Sequence, residues 1–390
     1  MRIAYVCADA GIPVFGCKGA SVHVQEVLRA LIKKGASVVL FASRFGGNPP
    51  PDLRSVQLCS LPAIPGKDAQ LRARVALESN QQLAEALHQQ GPFDLVYERY
   101  SLWSYAALEY ASRQGWKTVL EVNAPLIEEQ RNYRQMVAEE KASQVLRRLM
   151  VSAAVIIAVS PGVKAYLNDF FPSAENIHVI ANGVDSQRFT PAVRQSLSSV
   201  PQDAVVIGFL GTLKPWHGVD TLIAAFAQLH SQRPHTRLLI VGDGPEKARL
   251  SEQVADTRLL ADVIFTGRVE PAGVPQWLAL MDIAVAPYPE LAGFYFSPLK
   301  IYEYMASGLP VVASRVGHLA EVISHDETGL LVAPDKPAEL AKALQQLVDD
   351  PAWRKRLGEA ACQHVLHRHS WLAVVDEILR LAGLNTGRKA

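Results

Sequence analysis

The strongest constraint on how this chain can fold is an alternation that runs through it twice. Short apolar runs are separated by amphipathic stretches with helical spacing. Residues 2–8 read as a buried strand leading into a glycine-containing loop. Val24, Val27, Leu28, Leu31 and Ile32 then recur on one helical face, and Gly35 stops that helix. Further apolar runs follow at 38–41, 93–97, 117–122, 154–159 and 177–180. A second set occupies 205–210, 237–241, 263–265, 283–286, 311–313 and 330–332. Parallel neighbours need a crossover, so strands alternating with helices predict βαβ units. Between Asp185 and Pro201 the pattern fades into prolines and serines. The expected fold class is therefore α/β, with two Rossmann-like doubly wound parallel-sheet domains in tandem: residues 1–188, a linker at 189–203, and residues 204–370.

Composition narrows the function classes. The chain has 390 residues, 49% apolar and 20% charged, with a net charge of +1. That balance excludes the basic footprint of a nucleic-acid binder. Cys7, Cys17, Cys59 and Cys362 form no C-x-x-C pair and sit at no zinc-finger spacing, so they read as reduced thiols. His364, His367 and His369 lack a matching ligand set and read as solvated rather than metal-bound. The N-terminal apolar run stops at Asp9, too early for a signal peptide, and no run approaches the roughly 20 apolar residues of a membrane span. The expectation is a cytoplasmic protein, with peripheral membrane contact left open.

Doubly wound sheets bind ligands outside the carboxyl ends of their strands, and two such domains facing across a cleft would draw the site from loops of both. The most informative stretch is FYFSPLKIYEYMASGLPVVAS, residues 294–314. Ser297 reads as an N-cap and Pro298 as the first helical residue. Tyr302, Met305 and Ala306 can face inward, and Gly308 with Pro310 ends the helix. Lys300 in the first turn opposes the helix dipole unless an anion sits there, and a diphosphate would suit. Glu303 could accept from sugar or ribose hydroxyls. The competing reading is a surface helix with a routine cap and a solvated lysine.

Other loops carry weaker signals. Gly16 and Gly19 follow the first strand without G-x-G-x-x-G spacing, so a dinucleotide fingerprint is absent. Gly211, Thr212 and Lys214 follow the first strand of the second half, and Lys214 could meet a phosphate. Gly242 to Pro245 reads as a turn. Arg131, Arg134, Lys141, Arg147 and Arg148 share a helix-like segment with Met136, Val137, Val145, Leu146 and Leu149. A solvated helix is the preferred reading there, and a membrane-surface face for a lipid acceptor is the alternative.

Taken together, several stretches resemble the GT-B glycosyltransferases of family 4, over nearly the whole length. They are KGASVHVQEVLRAL (18–31), VIIAVSPGVKAYL (155–167), VIANGVDSQRF (179–189), IGFLGTLKPWHGVDTLIAAF (207–226), LLIVGDGP, FTGRV and SPLKIYEYMASGLPVVAS. The resemblance implies a retaining, metal-independent hexosyl transfer from a nucleotide-diphosphate sugar, UDP favoured over GDP, to a hydroxyl of a glycan, lipid or small molecule. It implies no cofactor. The diphosphate is implied to meet Lys214, Lys300 and the backbone at Ser297, Pro298 and Leu299, with Glu303 on the ribose, Arg268 and Val269 near the base, and Gly19 closing over the phosphates. The last helix, 371–390, is implied to join the N-terminal domain.

The chain departs from the family pattern at four points. Tyr295 stands where the first of two paired glutamates is usual. Thr212 replaces an arginine, His217 a lysine, and Asn123 the N-domain histidine near the sugar. Asn123 is expected to orient acceptor or sugar, and Phe294, Tyr295 and Phe296 to line the sugar. These changes mark a divergent subgroup. Two alternatives stay in view: a catalytically silent nucleotide-sugar-binding protein and a sugar-nucleotide epimerase.

Overall fold

A computed structural model describes residues 1–65, 68–172, 174–192, 200–291, 294–297 and 299–384, with Tyr133 described by its backbone only. The chain divides into two compact units. One comprises Met1–Asn182 together with the chain from Trp371 onward; the other is Gly183–Ser370.

The first unit holds a seven-stranded sheet. Its strands are β1 (Arg2–Cys7), β2 (Ser37–Ala42), β3 (Gln57–Ser60), β4 (Leu95–Arg99), β5 (Lys117–Val122), β6 (Val155–Ala158) and β7 (Ile177–Val179). They lie in the order β3-β2-β1-β4-β5-β6-β7, and every pairing is parallel. The second unit holds six strands: β8 (Val205–Leu210), β9 (Thr236–Val241), β10 (Val263–Phe265), β11 (Ile283–Ala286), β12 (Val311–Ser314) and β13 (Leu330–Val332). Their order is β10-β9-β8-β11-β12-β13, again all parallel. Each unit is thus doubly wound. The order reverses between β1 and β4 in one and between β8 and β11 in the other, the positions where such sheets open a crevice for ligand.

Burial explains why these runs became central strands. β6 is buried along its whole length, which demands a continuous apolar run rather than alternation; β4 is equally buried but ends in Glu98 and Arg99. β3 was not legible for the converse reason: it is an edge strand, exposed at Gln57, Leu58 and Ser60. β4 begins two residues later than the apolar run suggested, because Phe93 belongs to the approach and packs edge-on against Phe41 and Trp116.

The last helix, Trp371–Leu381, packs on the helix Gly19–Lys33 within the first unit. It buries Trp371, Val374, Val375, Ile378 and Leu379, at about 1.5–3 kcal/mol for each large side chain.

Two sequence readings need correction. The basic segment is not one helix but two, Leu126–Tyr133 and Glu139–Ser152, broken at Ala138 in the left-handed region. Its Val145, Leu146 and Leu149 are core residues, and Arg131 and Arg148 pair with Glu139 and Glu109. The membrane-surface alternative loses its apolar face. Among the three C-terminal histidines, only His367 is exposed; His369 lies against the Tyr302 ring at 5.0 Å. The four cysteines are free. Among the described residues no helix is long and apolar enough to cross a membrane.

Candidate active site

In the second unit the site grows from loops beside the reversal point. β8 ends at Leu210, whose N–H donates to the Tyr304 hydroxyl at 2.6 Å. Gly211 follows with φ +149° and donates to Val241 O. The turn after β9 supports this loop from beneath. A Cβ on Gly242 would fall 2.0 Å from Gly211 O, and one on Gly244 would fall 2.3 Å from Leu213 O. What read as a plain turn is therefore the seat of the Gly211–Leu213 loop, and both glycines are required by that close approach.

Lys300 lies in the first turn of the helix Leu299–Ala306 and is 9% exposed. Its Nζ is buried with no hydrogen-bond partner among the described residues, 4.3 Å from the Phe209 ring centre and 5.2 Å from that of Tyr288. A Cβ on Gly211 would come within 2.8 Å of it. Burial lowers the Lys300 pKa to about 7, opposed by the Glu303 carboxylate. The solvated-lysine reading is thereby ruled out. A buried amine with no acceptor is costly unless a ligand supplies one.

His217 bonds the loop at Thr212 and lies near enough to Lys300 to feel its charge. Its Nδ1 pairs with Thr212 O, and a carbonyl only accepts, so Nδ1 carries the proton and Nε2 presents a lone pair. Burial, then Lys300, holds its pKa down to about 3, so the ring is neutral at physiological pH. It contacts Phe209 and Tyr288 edgewise or tilted. Gly218 then turns the chain at φ +64°, where a Cβ would strike Pro287 O at 1.7 Å.

The remaining expected residues are spread around this core. Lys214 lies over Trp216 at 5.4 Å. Thr212 is exposed. Arg268 and Val269 follow β10, with Arg268 exposed and 3.9 Å from Glu270. Glu303 is half-buried, close enough to act on Lys300. Ser297 is buried, and its hydroxyl meets that of Tyr302 at 3.2 Å. Pro298 lies outside the described residues, so its reading as the first helical residue is not described; the helix is described from Leu299. Phe294 is buried against Tyr288 and Phe296, while Tyr295 and Phe296 are half-buried with ring centres 4.3 Å apart.

In the first unit, Gly19 opens its helix with open space around a Cβ. One turn on, His23 points to a buried cluster that the sequence reading missed. Glu121 of β5 is 2% exposed. It accepts from Arg99 at 3.1 Å and from the Tyr97 hydroxyl and Asn123 Nδ2, and His23 Nε2 lies 2.7 Å away. Burial pushes this carboxyl up, but His23, Arg99 and Tyr97 outweigh it and hold the pKa at about 2. The available signal was a charged residue inside a run of buried strand, in KTVLEV and again in LVYER. Among the described residues, no group of three or more His, Cys, Asp or Glu is placed to hold a metal.

With this geometry in hand, comparison with known proteins decides the family. Residues 18–188 match the model of Glycosyltransferase Family 4, and residues 204–350 match that of Glycosyl transferases group 1. The chain belongs to the family 4 glycosyltransferases. Relatives include D-inositol 3-phosphate glycosyltransferase 2 of Catenulispora acidiphila, 29% identical, with 91% of this chain and 87% of that protein covered. Among solved structures, sucrose-phosphate synthase of Thermosynechococcus elongatus aligns at TM-score 0.76 with 23% identity, covering 98% of both chains. Anabaena Alr3699/HepE in complex with UDP aligns at 0.71 with 20% identity, covering 98% of this chain and 100% of that one. These likenesses establish the GT-B architecture of the present glycosyltransferase.

Proposed function

We propose that this glycosyltransferase moves a hexosyl group from a UDP-sugar to a hydroxyl of a glycan, lipid or small molecule, with retention and without a metal ion. The observation that carries the reading is the Lys300 ammonium, buried beside Gly211 at the reversal point with no acceptor of its own. A diphosphate supplies that acceptor. The UDP and UDP-glucose complexes of Alr3699/HepE support the donor assignment.

As the anomeric bond breaks, negative charge grows on the leaving diphosphate. Lys214, the N–H groups opening the helix Leu299–Ala306, and Lys300 once the bound diphosphate has restored its proton are the positive charge it meets. His217, neutral, offers Nε2 as an acceptor to a donor hydroxyl. Among the described residues the carboxylate that acts on Lys300 is the half-buried Glu303, which the family resemblance gives to the ribose. Retention then follows from a same-face displacement, in which the departing phosphate oxygen takes the acceptor's proton. Two lysines and a helix end supply the charge that a divalent ion would otherwise provide, so turnover should survive EDTA.

The test is thermal shift with UDP, GDP and ADP, followed by anomeric NMR of product formed from the best donor. UDP at 100 times its dissociation constant should add about 2.7 kcal/mol to stability. A product with the donor's α configuration supports the reading. No shift with any nucleotide at millimolar concentration, or an inverted product, overturns it.

A further inference from the structure

The cluster around Glu121 has a directional consequence. A carboxylate can only accept. Glu121 Oε1 receives Arg99 and Asn123 and faces His23, while Oε2 receives Tyr97. The partners are themselves fixed. The Tyr97 ring stacks on Tyr5 at 5.1 Å, and His23 stands edge-on to Trp371 at 5.0 Å. Arg99 is buried at the end of β4. Glu121 lies on β5 between Leu120 and Val122, both fully buried, so its backbone is held by the sheet. The carboxylate stays ionised down to about pH 2.

Asn123 follows β5 directly and is half-buried. Its Nδ2 is drawn to Glu121, and the reverse orientation would set Oδ1 against a carboxylate oxygen. Oδ1 has no hydrogen-bond partner among the described residues. We propose that Glu121 is a positioning residue: by holding one of the two Nδ2 hydrogens of Asn123 it fixes the carboxamide so that Oδ1 is the acceptor oxygen this position offers a substrate hydroxyl. The ligand group it selects is a hydroxyl that donates. The same constraint accounts for an asparagine where the family resemblance expects histidine. A neutral imidazole giving its N–H to Glu121 would also present an acceptor, the lone pair at its other nitrogen.

The inference rests on the glycosyltransferase reading of Asn123 but is tested apart from it. The first arm uses full-length protein labelled with ¹⁵N-asparagine. The Asn123 side-chain NH₂ signals, identified by their loss in Asn123→Ala, should be shifted downfield and should move upfield in Glu121→Gln. Signals unchanged by Glu121→Gln overturn the proposal. The second arm is a double-mutant cycle on UDP-glucose turnover, followed as UDP release. Glu121→Gln should lower kcat at least tenfold in the wild-type background and less than twofold in Asn123→Ala, with UDP affinity unchanged within twofold. Equal losses in both backgrounds mean that Glu121 acts structurally, not through Asn123. Should Glu121→Gln fail to fold, Asn123→Asp serves. It keeps an outward oxygen but cannot donate to Glu121, so kcat should fall as in Asn123→Ala; wild-type kcat would overturn the proposal. If the wild type turns over no UDP-sugar, the donor reading fails, and the spectrum alone decides the orientation.

Discussion

Replacing Lys300 with methionine should stabilise the empty enzyme while removing its affinity for UDP. The side chain stays unbranched and apolar, one atom shorter, and loses the ammonium. In the unfolded chain a lysine titrates near 10.5, and in the fold Lys300 titrates at about 7. Between those values the unfolded chain holds a proton that the native state does not, so native stability rises with pH across the window. The shift of about 3.5 units corresponds to roughly 4–5 kcal/mol, at about 1.36 kcal/mol per unit. That penalty is nearly complete at pH 7 and absent above 10.5. The assay is thermal unfolding of wild type and Lys300→Met from pH 6.5 to 10, with their difference in Tm isolating the lysine from other titrating groups. Lys300→Met should be the more stable at pH 7, and the difference should close as pH rises. UDP should bind the wild type less tightly as pH rises above 7, because the ammonium is what the diphosphate meets, while Lys300→Met should bind UDP weakly throughout. A variant no more stable than wild type at pH 7, with UDP affinity retained, would refute both the burial argument and the donor site.

Three further substitutions probe other parts of the molecule. Gly242→Ala should lower Tm and weaken UDP binding together, because its Cβ meets Gly211 O at 2.0 Å and its φ of +139° disfavours a side chain; calorimetry with and without UDP reads both, at a cost of about 1–3 kcal/mol for the strain alone. Glu98 is raised to about 7 by burial, against its bonds from Ser104 and the Leu108 N–H. The native state then holds a proton between pH 4.5 and 7 that the unfolded chain has lost, and stability falls as pH rises through that window. Glu98→Gln should be about 3 kcal/mol more stable than wild type at pH 8 and equal to it at pH 4, checked by a pH series of Tm. Trp371→Ala should destabilise the first unit by about 3–5 kcal/mol, read by hydrogen exchange in the helix Gly19–Lys33, since the ring is 5% exposed and contacts His23.

What was legible in the sequence divides along physical lines. Buried parallel strands announce themselves because both faces need apolar residues, so 117–122 and 205–210 were readable to the residue. Edge strand β3 was not, because its side chains face water. Lys300 was legible as a misfit with its helix dipole, and the structure turned that misfit into a buried, unpartnered amine. The Glu121 cluster was hidden, because its members come from β4, β5 and the helix after β1, and only the sheet order brings them together. Gly242 and Gly244 looked like ordinary turn glycines because the atom that demands them, a carbonyl on a neighbouring loop, lies some thirty residues away in the chain.

The two buried charges differ in a way that bears on how each unit treats a ligand. Glu121 receives donors from three side chains, with His23 Nε2 2.7 Å away. Its environment is complete before any substrate arrives, and binding has nothing to reorganise there, which suits a group that must hold a carboxamide in one orientation. Lys300 is the opposite case. Its Nζ has ring faces around it and no acceptor, so the empty site holds an amine near its neutral form. A diphosphate that enters must bring the proton back with it, and proton uptake on UDP binding should approach one per molecule near pH 8.5, where the nucleotide is already fully ionised. Titration calorimetry in two buffers of different ionisation enthalpy measures that number directly. Uptake near zero at pH 8.5 would mean that Lys300 is already charged in the empty site, and the ring faces of Phe209 and Tyr288 would then be its stabilising partners rather than its desolvating walls.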